Sequence, residues 1–349
     1  MTRRTPAEGT QGGAAPAALE VSFDEVVGLI RTARQRAAQA VNAELIDLYW
    51  RIGQYLHHKI EDDGWAKGTV LGLAAFIARR EPGLRGFSAQ NLWRMRQFFV
   101  AYPDPERLST LSRQLPWSSH LHILSRAKRD DERQFYLRLA VQQRWPVREL
   151  ARQIDGGLFE RAMLNPPKLS TALRDSLPHP QQQFRDAYLL EFLALPEPHT
   201  EADLHRSLLR NLSRFLTELG RDFCYIGSEY PLQVGGQDFA LDLLFFHRGL
   251  NCLVAIELKV TAFAPEHLGK LNFYLEALDR DVKKPHENPA IGVLLCASKD
   301  DEVVEYAMSR SASPALIAQY LTQLPDKALL QAKLHEFYLL AGPHAEGEA

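Results

Sequence analysis

Residues 237–259 read Gln237-Asp238-Phe239-Ala240-Leu241-Asp242-Leu243-Leu244-Phe245-Phe246, then His247-Arg248-Gly249-Leu250-Asn251, then Cys252-Leu253-Val254-Ala255-Ile256-Glu257-Leu258-Lys259. Two apolar runs of strand length flank a five-residue connection containing Gly249, which predicts a hairpin of antiparallel strands. Side chains two apart on a strand share a face, so Glu257 and Lys259 point one way while Ile256 and Leu258 point the other. Asp242 is likewise a lone carboxylate between Leu241 and Leu243. Charges in such apolar strands are costly to bury unless a metal ion or an opposite charge compensates them. For any one of them the plainer reading is a satisfied ion pair or a solvent-facing sheet surface. Three together across one hairpin point to a functional site.

Outward from the hairpin, 223–226, 230–234 and 290–297 also read as strands, with a helix at about 265–280 between the last two strands. A helix over 201–219 carries Leu204, Leu208, Leu212, Phe215, Leu216 and Leu219 and stops at Gly220. These elements make an α/β domain over 197–340, with a mixed sheet flanked by helices and α+β character for the chain overall. Ahead of it, the Pro- and Gln-punctuated stretch 161–196 reads as a linker with one short helix near 184–193. Residues 20–160 read as a helical N-terminal domain. An apolar stripe from Val26 to Ile52 is followed by helices at about 67–80, 88–101, 118–127, 130–143 and 146–154. Residues 1–19 and 341–349 read as flexible tails.

Composition is that of a globular protein, 46% hydrophobic and 24% charged, which argues against disorder, a fibre or a disulfide scaffold. Cys224, Cys252 and Cys296 have no zinc-binding spacing and read as core residues of a reducing compartment. Arg3 and Arg4 precede no apolar signal core, and no run approaches the roughly 20 apolar residues of a membrane span. A cytoplasmic protein with no membrane partner is the expectation. Residues 20–165 carry 22 Lys and Arg against 17 Asp and Glu, whereas 166–349 carry 17 against 25. A basic first half suits a polyanion and an acidic second half suits a site that collects metal ions, although ordinary solvated surface gives imbalances of this size too.

The arrangement D-x(14)-E-x-K, formed by Asp242, Glu257 and Lys259, resembles the PD-(D/E)xK nuclease motif, with Leu241 in place of the proline that names it. "DLLFFHRGLNCLVAIELK", "FAPEHLGKLNFYLEALD" and "ENPAIGVLLCASKDDEVVEYA" are similar to the DUF1016 (YhcG-like) family, and "AVNAELIDLYWRIGQYL", "GFSAQNLWRMRQFFVAYP", "LPWSSHLHIL" and "RQFYLRLAVQQRWPVRELARQI" are similar to its N-terminal domain. The resemblance implies a restriction-endonuclease-like fold and a metal-dependent nuclease cutting DNA in recombination, repair or defence against foreign DNA. It implies Mg²⁺, with Mn²⁺ able to substitute, held by Asp242, Glu257 and the Leu258 carbonyl, with Lys259 completing the catalytic set. Mg²⁺ keeps several waters beside a pair of carboxylates, which suits that role. Relatives often add an acidic ligand from the domain's first helix. Glu201 and His205 lie one turn apart there, His205 standing where Glu is expected, and Glu201 is equally explained as a first-turn acid. Asp238 shares a strand face with Asp242, and Lys270 on the following helix could meet a phosphate or simply face solvent.

In the first half, Ser88 caps a helix carrying Gln90, Asn91, Arg94 and Arg96, which resembles a helix-turn-helix DNA reader; a structural bundle helix with exposed arginines is the alternative. Arg126, Lys128, Arg129 and Arg133 form a second basic cluster diluted by acids, and His120 reads as part of a packed turn. DNA is the expected partner. A protein partner through the N-terminal domain and a homo-oligomer, which cutting both strands would require, are further expectations. The competing class is a non-catalytic DNA-binding or protein-interaction module that uses the nuclease fold as a scaffold.

Overall fold

A computed structural model describes residues 40–104, 110–176, 183–309 and 311–341. The expected N-terminal tail, the first half of the first helix, 177–182 of the expected linker and the C-terminal tail beyond Ala341 lie outside these residues. The chain divides into two compact units at Arg133/Gln134.

The first unit is helical. A helix over 40–61 (α1) is followed by α2 (Lys67–Arg80), α3 (Ala89–Ala101), α4 (Thr110–Gln114) and α5 (Trp117–Arg126). α6 (Asp130–Gln142) spans the division between the units. Ile46, Trp50, Phe98, Phe99, Tyr102 and Leu124 form one part of the core, and Tyr49, Leu56, Val70, Leu92 and Met95 form another. Gly53 lets α1 lie against α3, because a Cβ there would collide with the Met95 carbonyl.

The second unit contains α7 (Val147–Asp155), α8 (Leu158–Leu164), α9 (Thr171–Ser176), β1 (Ala187–Leu189), a 3-10 turn (Glu191–Leu193), α10 (Glu201–Arg210) and α11 (Leu212–Leu219). β2 (Phe223–Val234), β3 (Gln237–His247), β4 (Cys252–Ala262), α12 (His267–Ala277), β5 (Asn288–Ser298), α13 (Asp301–Met308), β6 (Ala315–Leu321) and α14 (Lys327–Ala341) follow. Among the described residues the strands form a six-stranded mixed sheet in the order β1-β6-β5-β4-β3-β2. β2, β3 and β4 run antiparallel, and β4, β5, β6 and β1 run parallel. One face packs Leu243, Phe245, Ile256 and Leu258 against Leu204 and Leu208 of α10 and Phe215 of α11. The other packs Leu244, Ala255 and Leu294 against Leu268, Leu271 and Leu275 of α12.

Several elements depart from the sequence reading. Within 161–196 the short helix expected near 184–193 is instead β1 and the 3-10 turn, α9 precedes them, and Tyr188 and Leu189 of β1 are buried. A three-residue strand among prolines leaves no readable period, and its burial is set by pairing with β6, far away in the chain. The division at Arg133 likewise leaves α7 and α8 in the second unit. There Arg152 of α7 donates to Glu191, to Glu218 of α11 and to the Leu189 carbonyl, while Arg185 and the Leu189 N–H also donate to Glu218. Glu218 is fully buried, and although burial works against ionisation, Arg185 and Arg152 hold its carboxyl below the ordinary range. The expected helix 201–219 is broken at Asn211 into α10 and α11. The expected strands 223–226 and 230–234 are one strand with a bulge between Tyr225 and Gly227, followed by a positive φ at Glu229.

Candidate nuclease site

β3 and β4 pair from Leu243↔Ile256 to His247↔Cys252, and Asp242 and Glu257 are the next residues beyond that ladder. There the Leu258 N–H donates to Asp242 Oδ2 at 2.7 Å, so a carboxylate takes the place of a strand carbonyl at the opening of the hairpin. The Asp242 carbonyl accepts a hydrogen bond from His205 Nε2 of α10 at 3.2 Å. Glu257 and Lys259 alternate along β4 with Ile256 and Leu258, and Asp242 lines a cleft with Glu201, Ala202 and His205 of α10. α12 contributes in turn: Lys270 Nζ donates to Glu257 Oε1 at 2.6 Å, and Tyr274 Oη donates to the Ala240 carbonyl at 2.8 Å, anchoring β3 two residues before Asp242.

Glu257 is 0% exposed. Its Oε1 also meets Lys259 Nζ at 3.3 Å, while its Oε2 is buried with no hydrogen-bond partner. Burial, and then the repulsion of Asp242, raise its carboxyl above the usual carboxylate range, and Lys270 and Lys259 offset part of that rise. Conversely, Glu257 lifts the Lys270 ammonium above its ordinary value despite partial desolvation. Lys259 Nζ completes its shell with the Leu258 carbonyl at 2.9 Å and both Glu201 oxygens at 3.1 and 3.3 Å. Glu201, Ala202, His205, Glu229, Asp242 and Leu258 line an open cleft of about 190 Å³.

The donor set suits a hard divalent cation: two carboxylates, one of them with a buried oxygen lacking any partner, and the Leu258 carbonyl. Among the described residues no group of three His, Cys, Asp or Glu side chains is placed to hold a metal. Glu201 is turned onto Lys259 and His205 onto a carbonyl, so the side-chain carboxylates facing one another are two.

Residues 181–335 match the family described as "YhcG PDDEXK nuclease domain", and 25–161 match the "DUF1016 N-terminal domain". "Putative nuclease YhcG" of Escherichia coli (strain K12) is 32% identical over 366 residues, covering 94% of this chain and 95% of its own. The chain belongs to the YhcG family. A solved repair endonuclease from Pyrococcus abyssi aligns at 14% identity with a TM-score of 0.25, over 37% of this chain and 48% of its own, too loose a likeness to bear on the reading. The helical first unit and the mixed sheet with flanking helices are the architecture expected of a YhcG-family chain with a PDDEXK domain.

The motif residues and both first-helix candidates thus converge on the opening of the β3–β4 hairpin, whereas Asp238 is taken up by Gln233 farther along the β2–β3 ladder. Sequence reading missed Glu229, which the bulge in β2 brings to the cleft; the interruption at Gly227 was its only signal. In the first unit of this YhcG-family chain, Gln90 is exposed at the start of α3. Asn91 is occupied inside the fold, its amide donating to the Gly86 carbonyl at 2.5 Å and its oxygen accepting from Trp117 Nε1 at 2.9 Å. Arg96 is paired with Glu61 at 2.8 Å and lies over the Trp93 ring. Arg94 lines a separate cleft. Among the described residues no helix is long and apolar enough to cross a membrane.

Proposed function

We propose that this chain is a divalent-metal-dependent nuclease that hydrolyses DNA phosphodiester bonds, with Asp242, Glu257 and Lys259 as its catalytic residues. The observation that carries the reading is Glu257: a fully buried carboxylate with one oxygen lacking any partner, beside a second carboxylate and a lysine where the hairpin ladder ends. Such a group is costly to keep for packing alone.

Asp242, Glu257 and the Leu258 carbonyl would hold Mg²⁺, or Mn²⁺ in its place. When bound, the ion supplies an activated water and charge neutralisation at the scissile phosphate. The protein's own groups do the rest. Lys259 Nζ, anchored by the Leu258 carbonyl, would turn an N–H from Glu201 to the attacking water or to the oxyanion that develops on phosphorus. Lys270 fixes the Glu257 rotamer, and Tyr274 fixes the backbone ahead of Asp242. Glu201 and His205 stand at the cleft, where they orient Lys259 and the Asp242 carbonyl. Cutting both strands of a duplex would take two copies of this site, and recombination, repair or defence against foreign DNA are processes such cutting would serve.

The test is incubation of purified protein with supercoiled, linear, single-stranded and branched DNA in Mg²⁺, Mn²⁺ or EDTA. Metal-dependent cutting is expected on at least one substrate. Tight DNA binding that is indifferent to metal, with no cutting, would instead favour a binding module.

A further inference from the structure

We propose that the cleft between α3 and α5 binds the sugar-phosphate backbone of nucleic acid, with the Arg94 and Arg126 guanidinium groups as its phosphate anchors. The identity of the polyanion rests on the nuclease reading above; the chemistry of the cleft does not.

The cleft is open, about 340 Å³, and its polar lining is Arg94, Gln97, Ser118, His122, Ser125 and Arg126, with no acidic side chain. Arg94 and Gln97 are one turn apart on α3, and Ser118, His122 and Ser125 follow at spacings of four and three on α5, so two polar helix faces line the opening. Behind them Met95, Phe98, Ile123 and Leu124 are buried, which fixes both helices. Elsewhere in this unit Arg96 is paired with Glu61, Arg113 with Asp47 and Arg129 with Asp131, while Arg51, Arg79, Arg80 and Arg85 are exposed. Among the described residues Arg94 has no such partner, although it is partly buried in mid-helix.

His122 adds direction. Arg126 Nη1 lies 2.7 Å from His122 Nδ1, and a guanidinium can only donate, so Nδ1 accepts and the ring proton sits on Nε2. The imidazole is therefore a donor, and Arg126 is held in place by the bond that sets the tautomer. Arg126 also lies in the last turn of α5, where any cation is favoured, so Arg94 is the more telling of the pair. Guanidinium forks, an imidazole N–H and the exposed Ser118 hydroxyl form a donor-rich set of the kind that meets phosphate oxygens and carries no base code, whereas the Ser125 hydroxyl donates to the His122 carbonyl. A sequence-independent backbone contact follows, rather than base reading by Gln90 and Asn91.

The experiment uses the full chain in EDTA, which separates binding from cutting. Its probes are a fluorescein-labelled duplex of about 30 base pairs and a single strand of the same length. Arg94→Ala is expected to weaken binding about tenfold, and each arginine removed to lower the slope of log K against log [NaCl] by about 0.9 on duplex. Ser118→Asp, which leaves both arginines in place, is expected to weaken binding as well, while Arg80→Ala on α2 changes it little. Variants that melt like the wild type yet bind both probes with its affinity and salt slope would overturn the proposal and point to an acidic protein segment as the ligand. Wild-type protein that binds neither probe would overturn it too. Binding that depends on Arg94 in a protein that never cuts in Mg²⁺ would support the cleft while refuting the catalytic reading.

Discussion

Removing the Lys270 ammonium should unmask how Glu257 is tolerated in the metal-free fold. Glu257 is 0% exposed and is compensated by Lys270 at 2.6 Å and Lys259 at 3.3 Å. Breaking a buried pair by deleting one member costs about 3–5 kcal/mol. Lys270 is 49% exposed and Lys259 remains, so screening brings the expected cost of Lys270→Met down to about 1–2 kcal/mol. For a unit of this size that is a fall of roughly 2–8 °C in melting temperature. In a Glu257→Gln background the same substitution should cost almost nothing, giving a coupling of about 1–2 kcal/mol in a double-mutant cycle read by thermal melting in EDTA. Mg²⁺ should narrow the gap between wild type and Lys270→Met, because a cation at Glu257 takes over the compensation. Equal destabilisation in both backgrounds, or a gap that Mg²⁺ leaves unchanged, would refute this view of the site.

Three further outcomes follow from other parts of the molecule. His120 is fully buried, donates from Nε2 to the Ser112 carbonyl at 2.8 Å, and burial pushes its pKa down to about 4. Its contribution is complete above the unfolded value near 6.5 and is lost as pH falls through that of the fold, up to about 3 kcal/mol, so His120→Gln should flatten the melting profile between pH 7 and 4.5. Glu218→Gln strips Arg152 and Arg185 of a shared buried partner and should lower stability by about 3 kcal/mol at pH 7. Because the folded carboxyl lies below its ordinary 4.5, that difference should be present above pH 4.5 and shrink as acid protonates the wild-type group, as melting across pH will show. Lys259→Met should leave metal-free melting within a few degrees of wild type yet reduce cutting by about a hundredfold or more, measured under single turnover.

The hairpin was legible because its signals are local: two apolar runs, a glycine-bearing turn, and charges placed where strand alternation aims them at one face. Asp242, Glu257 and Lys259 could therefore be singled out before the fold was known, and they meet at the end of the β3–β4 ladder, whereas Lys270, read as a phosphate contact or a solvent-facing lysine, pairs with Glu257. What escaped depends on distant partners. β1 is three residues long and exists because β6 pairs with it, and Glu229 reaches the cleft because the β2 bulge turns it there. Asn91 carried the residue type of a base reader, and only the placement of Trp117 and Gly86 shows that its amide is already spent inside the fold. A spacing of three or four on a helix names a face, whereas which neighbour fills that face is tertiary information.

The most direct measurement of the central claim is cleavage of the best substrate in Mg²⁺ by wild type beside Asp242→Asn and Glu257→Gln, with binding to that substrate measured in parallel in EDTA. Both variants should fold and bind DNA within a fewfold of wild type while cutting falls to the level seen with EDTA. Variants that cut at the wild-type rate would contradict the claim and move the chemistry away from the β3–β4 hairpin.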